Sequence, residues 1–259
     1  MKKISNGPKS VINLISDLFM KIFFIVIFIL CNFATQTVSA REYQYDVYGL
    51  NIRFMEIKFS NIANETLTTD IQSKSLLSYF YDFKGSGIVE QKNSEAIYKF
   101  SYQKKEKKRT TTVVFKNQAV INNFSNPPRK EKKNIVPITK DDLTNIVDPL
   151  TAVQQLIFDQ NKKLNCNKQK KVFDGTNIFY LKLSQIDVDS YIIDSSKLIY
   201  QRPMQKCKLT YQTISGHELE DETKLNKMYV DIFYGEKNKM FYPYFLSTKS
   251  KITLEMFLK

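Results

Sequence analysis

The chain has no tryptophan and a single histidine, His217, which excludes metal sites built on paired histidines. Its three cysteines, Cys31, Cys166 and Cys207, form no C-x-x-C pair, so zinc ribbons and thioredoxin-type redox centres are excluded too. Seven Gly and seven Pro in 259 residues are too few for a collagenous or low-complexity chain. Arginine is also scarce, limited to Arg41, Arg53, Arg109, Arg129 and Arg202, so the net charge of +13 is almost entirely lysine. What remains, 42% apolar and 25% charged, is the composition of an ordinary globular protein. No metal or other cofactor is expected.

One long apolar run stands out. Residues 22–30 are unbroken Ile, Phe, Val and Leu behind Lys21, and the stretch ends in Thr37-Val38-Ser39-Ala40. Basic flank, short apolar core and small residues before a junction are the parts of a secretory signal peptide, with cleavage expected between Ala40 and Arg41. A membrane-spanning helix needs about 20 apolar residues, twice this core. The rival reading is an inner-membrane anchor formed by an uncleaved 22–34 segment. Met20 offers an alternative start. Residues 1–40 hold four of the 39 basic and one of the 26 acidic side chains, so a single domain over 41–259 keeps 35 against 25. The chain is therefore expected to be exported. Cleavage removes Cys31, and the two remaining cysteines most simply join as Cys166–Cys207 in an oxidising compartment, the alternative being two free thiols.

Period-two alternation dominates the rest. Ile252, Leu254, Met256 and Leu258 share one face; so do Met228, Val230, Ile232 and Tyr234, and Tyr98, Phe100 and Tyr102. Phe179, Leu181 and Leu183, and Cys207, Leu209 and Tyr211, form two further faces. Such runs predict antiparallel strands with one covered face, about ten in a meander, with Gly235-Glu236-Lys237-Asn238 as one hairpin turn. Asp141–Lys163 breaks the pattern with apolar residues at helical spacing. Asp148-Pro149 reads as an N-cap followed by proline at the first helical position, which predicts a main helix over about 149–161. Over 75–83 a small helix is a second candidate, with a strand as the alternative, and 122–140 reads as a loop.

Two basic runs, Lys104-Lys105-Glu106-Lys107-Lys108-Arg109 and Arg129-Lys130-Glu131-Lys132-Lys133, are candidate contacts for an anionic envelope surface, or else a solvated hairpin tip and loop. Nucleic acid is not expected as a partner, because export removes the chain from it and no recognition motif is present. His217, in Ser215-Gly216-His217-Glu218, offers a remote acyl-transfer reading without a nucleophile motif. Glu218, Glu220, Asp221 and Glu222 lack the spacing of a calcium loop. Asn64-Glu65-Thr66 and Asn123-Phe124-Ser125 match the glycosylation acceptor pattern. No catalytic residue emerges.

Several phrases together carry a family resemblance. They are Val147-Asp148-Pro149-Leu150-Thr151-Ala152, then Cys166 followed by Lys171-Val172-Phe173-Asp174-Gly175, then Cys207 and Ser215-Gly216. On these the chain resembles an uncharacterised family of exported bacterial proteins, a domain of unknown function grouped with the Lol-type lipoprotein-carrier half-barrels. The resemblance covers most of 43–258 and assigns no role to Asp148, Pro149, Leu150, Phe173, Asp174 or Gly175. It implies an incomplete antiparallel barrel wrapped around the helix, with an apolar concavity between them. The function it implies is non-enzymatic binding of an acyl chain, lipid or lipoprotein segment. The alternative is a docking module of the envelope whose core is filled.

Overall fold

Alternation governs the strands as the sequence requires: in Arg41–Gly49 (β1), Tyr43, Tyr45 and Val47 are buried, and Glu42, Gln44 and Asp46 take the opposite face. A computed structural model describes residues 41–62, 65–74, 82–129, 134–160, 163–248 and 253–259, with backbone alone at 186–189. The first half of the chain continues with β2 (Ile52–Ile62), β3 (Thr66–Ser73), β4 (Phe83–Lys92), β5 (Glu95–Lys104), β6 (Lys107–Lys116) and β7 (Ala119–Asn126). The second half supplies β8 (Lys168–Phe173), β9 (Ile178–Tyr191), β10 (Met204–Ser215), β11 (Tyr229–Lys237), β12 (Met240–Thr248) and β13 (Leu254–Leu258).

All are antiparallel in one sheet, ordered β7-β6-β5-β4-β3-β2-β1-β13-β12-β11-β10-β9-β8. The protein is mainly β, as expected, but with thirteen strands among the described residues in place of about ten. Strands that escape the alternation rule account for the difference. β2 is half-buried over most of its length, β4 places Gly85 and Gly87 where larger apolar residues would be sought, and β7 is an exposed edge rich in Asn. The expected loop over 122–140 is corrected accordingly, since residues 122–126 belong to β7. The expected hairpin turn at 235–238 also moves. Asn238 and Lys239, both at positive φ, make the turn, while Gly235 lies inside β11 because the Tyr200 ring occupies the space its Cβ would need.

Two meanders therefore meet in mid-sheet, where β1 pairs with β13 from Tyr45↔Leu258 to Gly49↔Leu254. Both sheet edges, β7 and β8, are consecutive in the chain, and the connection between them ties the edges together. Ile146 N–H donates to Gln118 O in the β6–β7 turn. Val147 forms a parallel bridge to Val172 in β8, donating to Lys171 O and accepting from Phe173 N–H, each at 3.0 Å. Asn123 Nδ2 of β7 donates to Gly175 O beyond β8. The sheet is thus curled until its edges share one seam.

Beyond the seam the chain turns inward. Asp148 caps the helix, its Oδ1 accepting from Thr151 N–H at 2.9 Å, and Pro149 takes the first helical position. Helix α1 spans Pro149–Val153 and continues as one π-helical turn over Gln154–Phe158, so the helical segment stops short of the expected 161. Gln160 explains the stop: its Nε2 donates to Leu156 O and its Oε1 accepts from Asn165 N–H, which takes up a carbonyl and holds the departing chain. The expected helix at 75–83 falls mainly on residues outside those described.

Two glycines hold the seam. Gly175 and Gly216 have φ of +92° and +82°, and a Cβ on Gly216 would run into the carbonyl oxygen of Thr176. Gly216→Ala is expected to destabilise the fold by more than about 1 kcal/mol, because alanine resists that φ and backbone cannot yield as a side chain does. A shift in the urea midpoint at unchanged slope measures it.

Candidate functional site: a polar groove and a filled concavity

The concave face of the sheet is the first place to look for a ligand, and the protein's own side chains occupy it. Leu156, Ile157 and Phe158 are buried. Phe158 stacks between Tyr43 of β1 (ring centroids 4.2 Å) and Phe59 of β2 (4.6 Å). Tyr234 of β11 donates its hydroxyl hydrogen to Ile157 O, and Tyr45 donates to Pro243 O. Burial pushes both phenols above their ordinary pKa, so they act as neutral donors. Cys166, just after the helical segment, is bonded to Cys207 of β10 with Cα atoms 5.6 Å apart, as the cysteine count foretold.

The motif residues of unassigned role prove to be architectural. Asp148 and Pro149 start α1, and the buried Leu150 contributes to the core. Phe173 N–H bonds to Val147 O at the seam. Asp174 Oδ1 accepts from Thr176 and Asn177 N–H, shaping the turn into β9, and Gly175 lets that turn press against Thr111 and Val113 of β6.

His217 is buried, and neither ring nitrogen has a hydrogen-bond partner among the described residues; Glu222 Oε2 lies 3.9 Å from Nε2. Ser215 Oγ turns instead to Asp142 Oδ2 at 3.2 Å, so this arrangement does not join serine to histidine. The acidic stretch 218–222 folds as a short 3-10 turn (Leu219–Asp221) leading into helix α2 (Glu222–Leu225). Asn123, of the second acceptor motif, holds the seam; Asn64, of the first, lies outside the described residues, as do residues 1–40 with Ala40. Arg41 opens β1.

The first basic run is a hairpin tip, with Lys104 ending β5, Lys105 and Glu106 at the turn, and Lys107, Lys108 and Arg109 opening β6. Arg129 folds back, its guanidinium donating to Thr111 Oγ1 at 3.0 Å; Lys130, Lys132 and Lys133 lie outside the described residues. The tip continues into a groove of about 540 Å³ that crosses the face turned away from Phe158. Strand register builds it from two rows. One row runs Glu56↔Gln72↔Lys84↔Gln103↔Lys108, and the other Lys58↔Asp70↔Ser86↔Ser101↔Thr110, across β2 to β6. At its β2 end, Arg53 (2.8 Å), Lys259 (3.2 Å) and Lys74 (3.7 Å) gather on Glu56. Burial opposes ionisation of Glu56, but the Lys259 hydrogen bond and the charges of Lys74 and Lys259 outweigh it and hold the carboxyl below its usual range.

The other half of this outer face is built differently. Rings of Tyr191, Phe233, Phe245, Phe257 and Tyr48 follow one another across it, with centroid spacings of 5.6, 5.2, 4.9 and 5.7 Å. Lys197, in the β9–β10 connection, sits 4.7 Å above the Tyr48 ring and donates to Asn51 Oδ1, while Leu198 beside it is buried. Neither the groove nor this row was visible in the sequence, because each strand contributes only one or two of the residues.

No family model matches the chain, and no curated protein matches it. Among solved structures it is similar to a beta-barrel-like protein of domain of unknown function DUF1849 from Brucella abortus, at 10% identity, over 87% of this chain and 98% of that one, with a TM-score of 0.49.

Proposed function

We propose that this protein is a non-catalytic docking module of the bacterial envelope, exported by its N-terminal segment and released into the periplasm by cleavage between Ala40 and Arg41. On this reading the curled sheet is an incomplete barrel of the kind suggested by the Lol-type resemblance, closed around its own helical segment. The observation that carries the proposal is the stack of Phe158 between Tyr43 and Phe59, which fills the concavity that a carrier would keep for an acyl chain. A ligand pocket for an apolar molecule needs roughly 300–1,000 Å³ of free space, and here the centre of that space holds Leu156, Ile157 and Phe158. Recognition then falls to the outer face and its groove. Native mass spectrometry of the protein extracted from membranes is the test. Protein of bare chain mass is expected, and a stoichiometric lipid adduct would replace the docking reading with the carrier one.

A further inference from the structure

We infer that the groove across β2–β6 binds an extended acidic polysaccharide. The inference goes beyond the docking proposal by naming the chemistry of the partner. Three lysines on the two rows line the groove, Lys58, Lys84 and Lys108, and among the described residues none of them makes an ion pair. Against these stand two acids. Glu56 is answered from outside the groove by Arg53, Lys74 and Lys259, which leaves Asp70 as the one uncompensated carboxylate in the lining. The groove is therefore a cationic channel and not a mixed surface.

Its dimensions suit a chain. Lys84 and Lys108 share one row on β4 and β6, their backbones about 10 Å apart, and Lys58 on β2 stands in the other row, about 12 Å from Lys84, so the three mark a slanting track across five strands about 19 Å wide. Between the cations stand hydroxyl and amide groups, Gln72, Ser86, Ser101, Gln103 and Thr110, with Ser101 and Thr110 hydrogen-bonded to each other at 2.9 Å. Such groups pair with sugar hydroxyls and carboxylates. A single-stranded nucleic acid would instead call for a line of exposed aromatic platforms, and the two rows of the groove contain none. At the opposite end of the same strands Glu65, Glu90 and Glu95, against the single cation Lys92, line a separate groove of about 830 Å³, whose net negative charge disfavours a polyanion.

The experiment titrates the 41–259 protein with a polyuronate chain, with inorganic phosphate, and with vesicles rich in anionic lipid. The polyuronate is expected to bind with an affinity that falls as salt rises. Phosphate and vesicles are expected to bind far more weakly. K84E/K108E should reduce polyuronate affinity roughly tenfold or more, with circular dichroism and melting temperature unchanged. K224E/K239E, carrying the same change in net charge at two exposed positions outside the groove, should reduce it much less. Equal losses in the two variants would mean that net charge and not the groove binds the chain. Preference for vesicles over polyuronate would make the partner a lipid surface, and no polyuronate binding at all would end the proposal. None of these outcomes depends on whether the core carries lipid, so the docking reading and the groove can fail separately.

Discussion

Removing the Cys166–Cys207 bond is expected to cost the fold about 2–4 kcal/mol, whether by Cys166→Ser, by Cys207→Ser or by adding reductant to the unmutated protein. The bond spans 41 residues of sequence, so cutting it frees a long loop in the unfolded chain. In the folded state it ties the exit of the helical segment to β10, where Cys207 is fully buried. The described residues 163–167 are otherwise held by Asn165, bonded to Gln160, and by Leu164, packed against the core, with Lys168 just beyond bonded to the carbonyls of Gln155 and Asp159. With the bond gone, those contacts would hold the helix exit. Urea unfolding with and without reductant should show the midpoint falling by the same amount as in the serine variants. A protein indifferent to reductant would mean that those contacts suffice, and the argument for an oxidising compartment would then rest on residues 22–40.

That bond was legible in advance, and so was much else of the fold, because each such feature is local or counts few options. With Cys31 set aside in the expected signal segment, two cysteines permit one pairing. Asp148-Pro149 marks a helix start through one side-chain oxygen and one missing N–H, both properties of adjacent residues. The alternation in Ala96–Tyr102 or Phe179–Leu183 gives the antiparallel class. Reading failed where a strand has no single apolar face. β2 is half-buried over most of its length and β7 is an exposed edge, while in β11 and β13 the alternation is legible but does not reveal that Phe233 and Phe257 on the other face are buried too. The helix ended early because of Gln160, a side chain satisfying backbone groups, which leaves no trace in hydrophobic spacing. The groove was hidden for a further reason. Lys58, Lys84 and Lys108 are 26 and 24 residues apart in sequence, and only the pairing registers bring them onto adjacent rows of one face.

Phe158→Ala is expected to give the largest loss of all, about 3–5 kcal/mol from a total that for most domains is only about 5–15. The ring is buried at the centre of the concave face, stacked at 4.2 Å on Tyr43 and 4.6 Å on Phe59, and 6.5 Å from Tyr45. Truncation removes those contacts at once and leaves a gap walled by three strand-borne rings that cannot move far to close it. The same variant also discriminates between the two readings of the core. A gap lined by apolar rings stays dry and accepts a small apolar guest. Phe158→Ala should therefore recover part of its lost stability on adding an excess of a small aromatic hydrocarbon, through preferential binding to the folded state, while the unmutated protein should gain nothing. A fluorescent fatty acid separates the cases further. If the unmutated protein takes it up as tightly as the variant does, the helical segment yields its place to the acyl chain, and the core is a carrier's cleft held closed. If neither protein binds it, and only the variant responds to the small guest, Phe158 is a permanent part of the core and recognition belongs to the outer face.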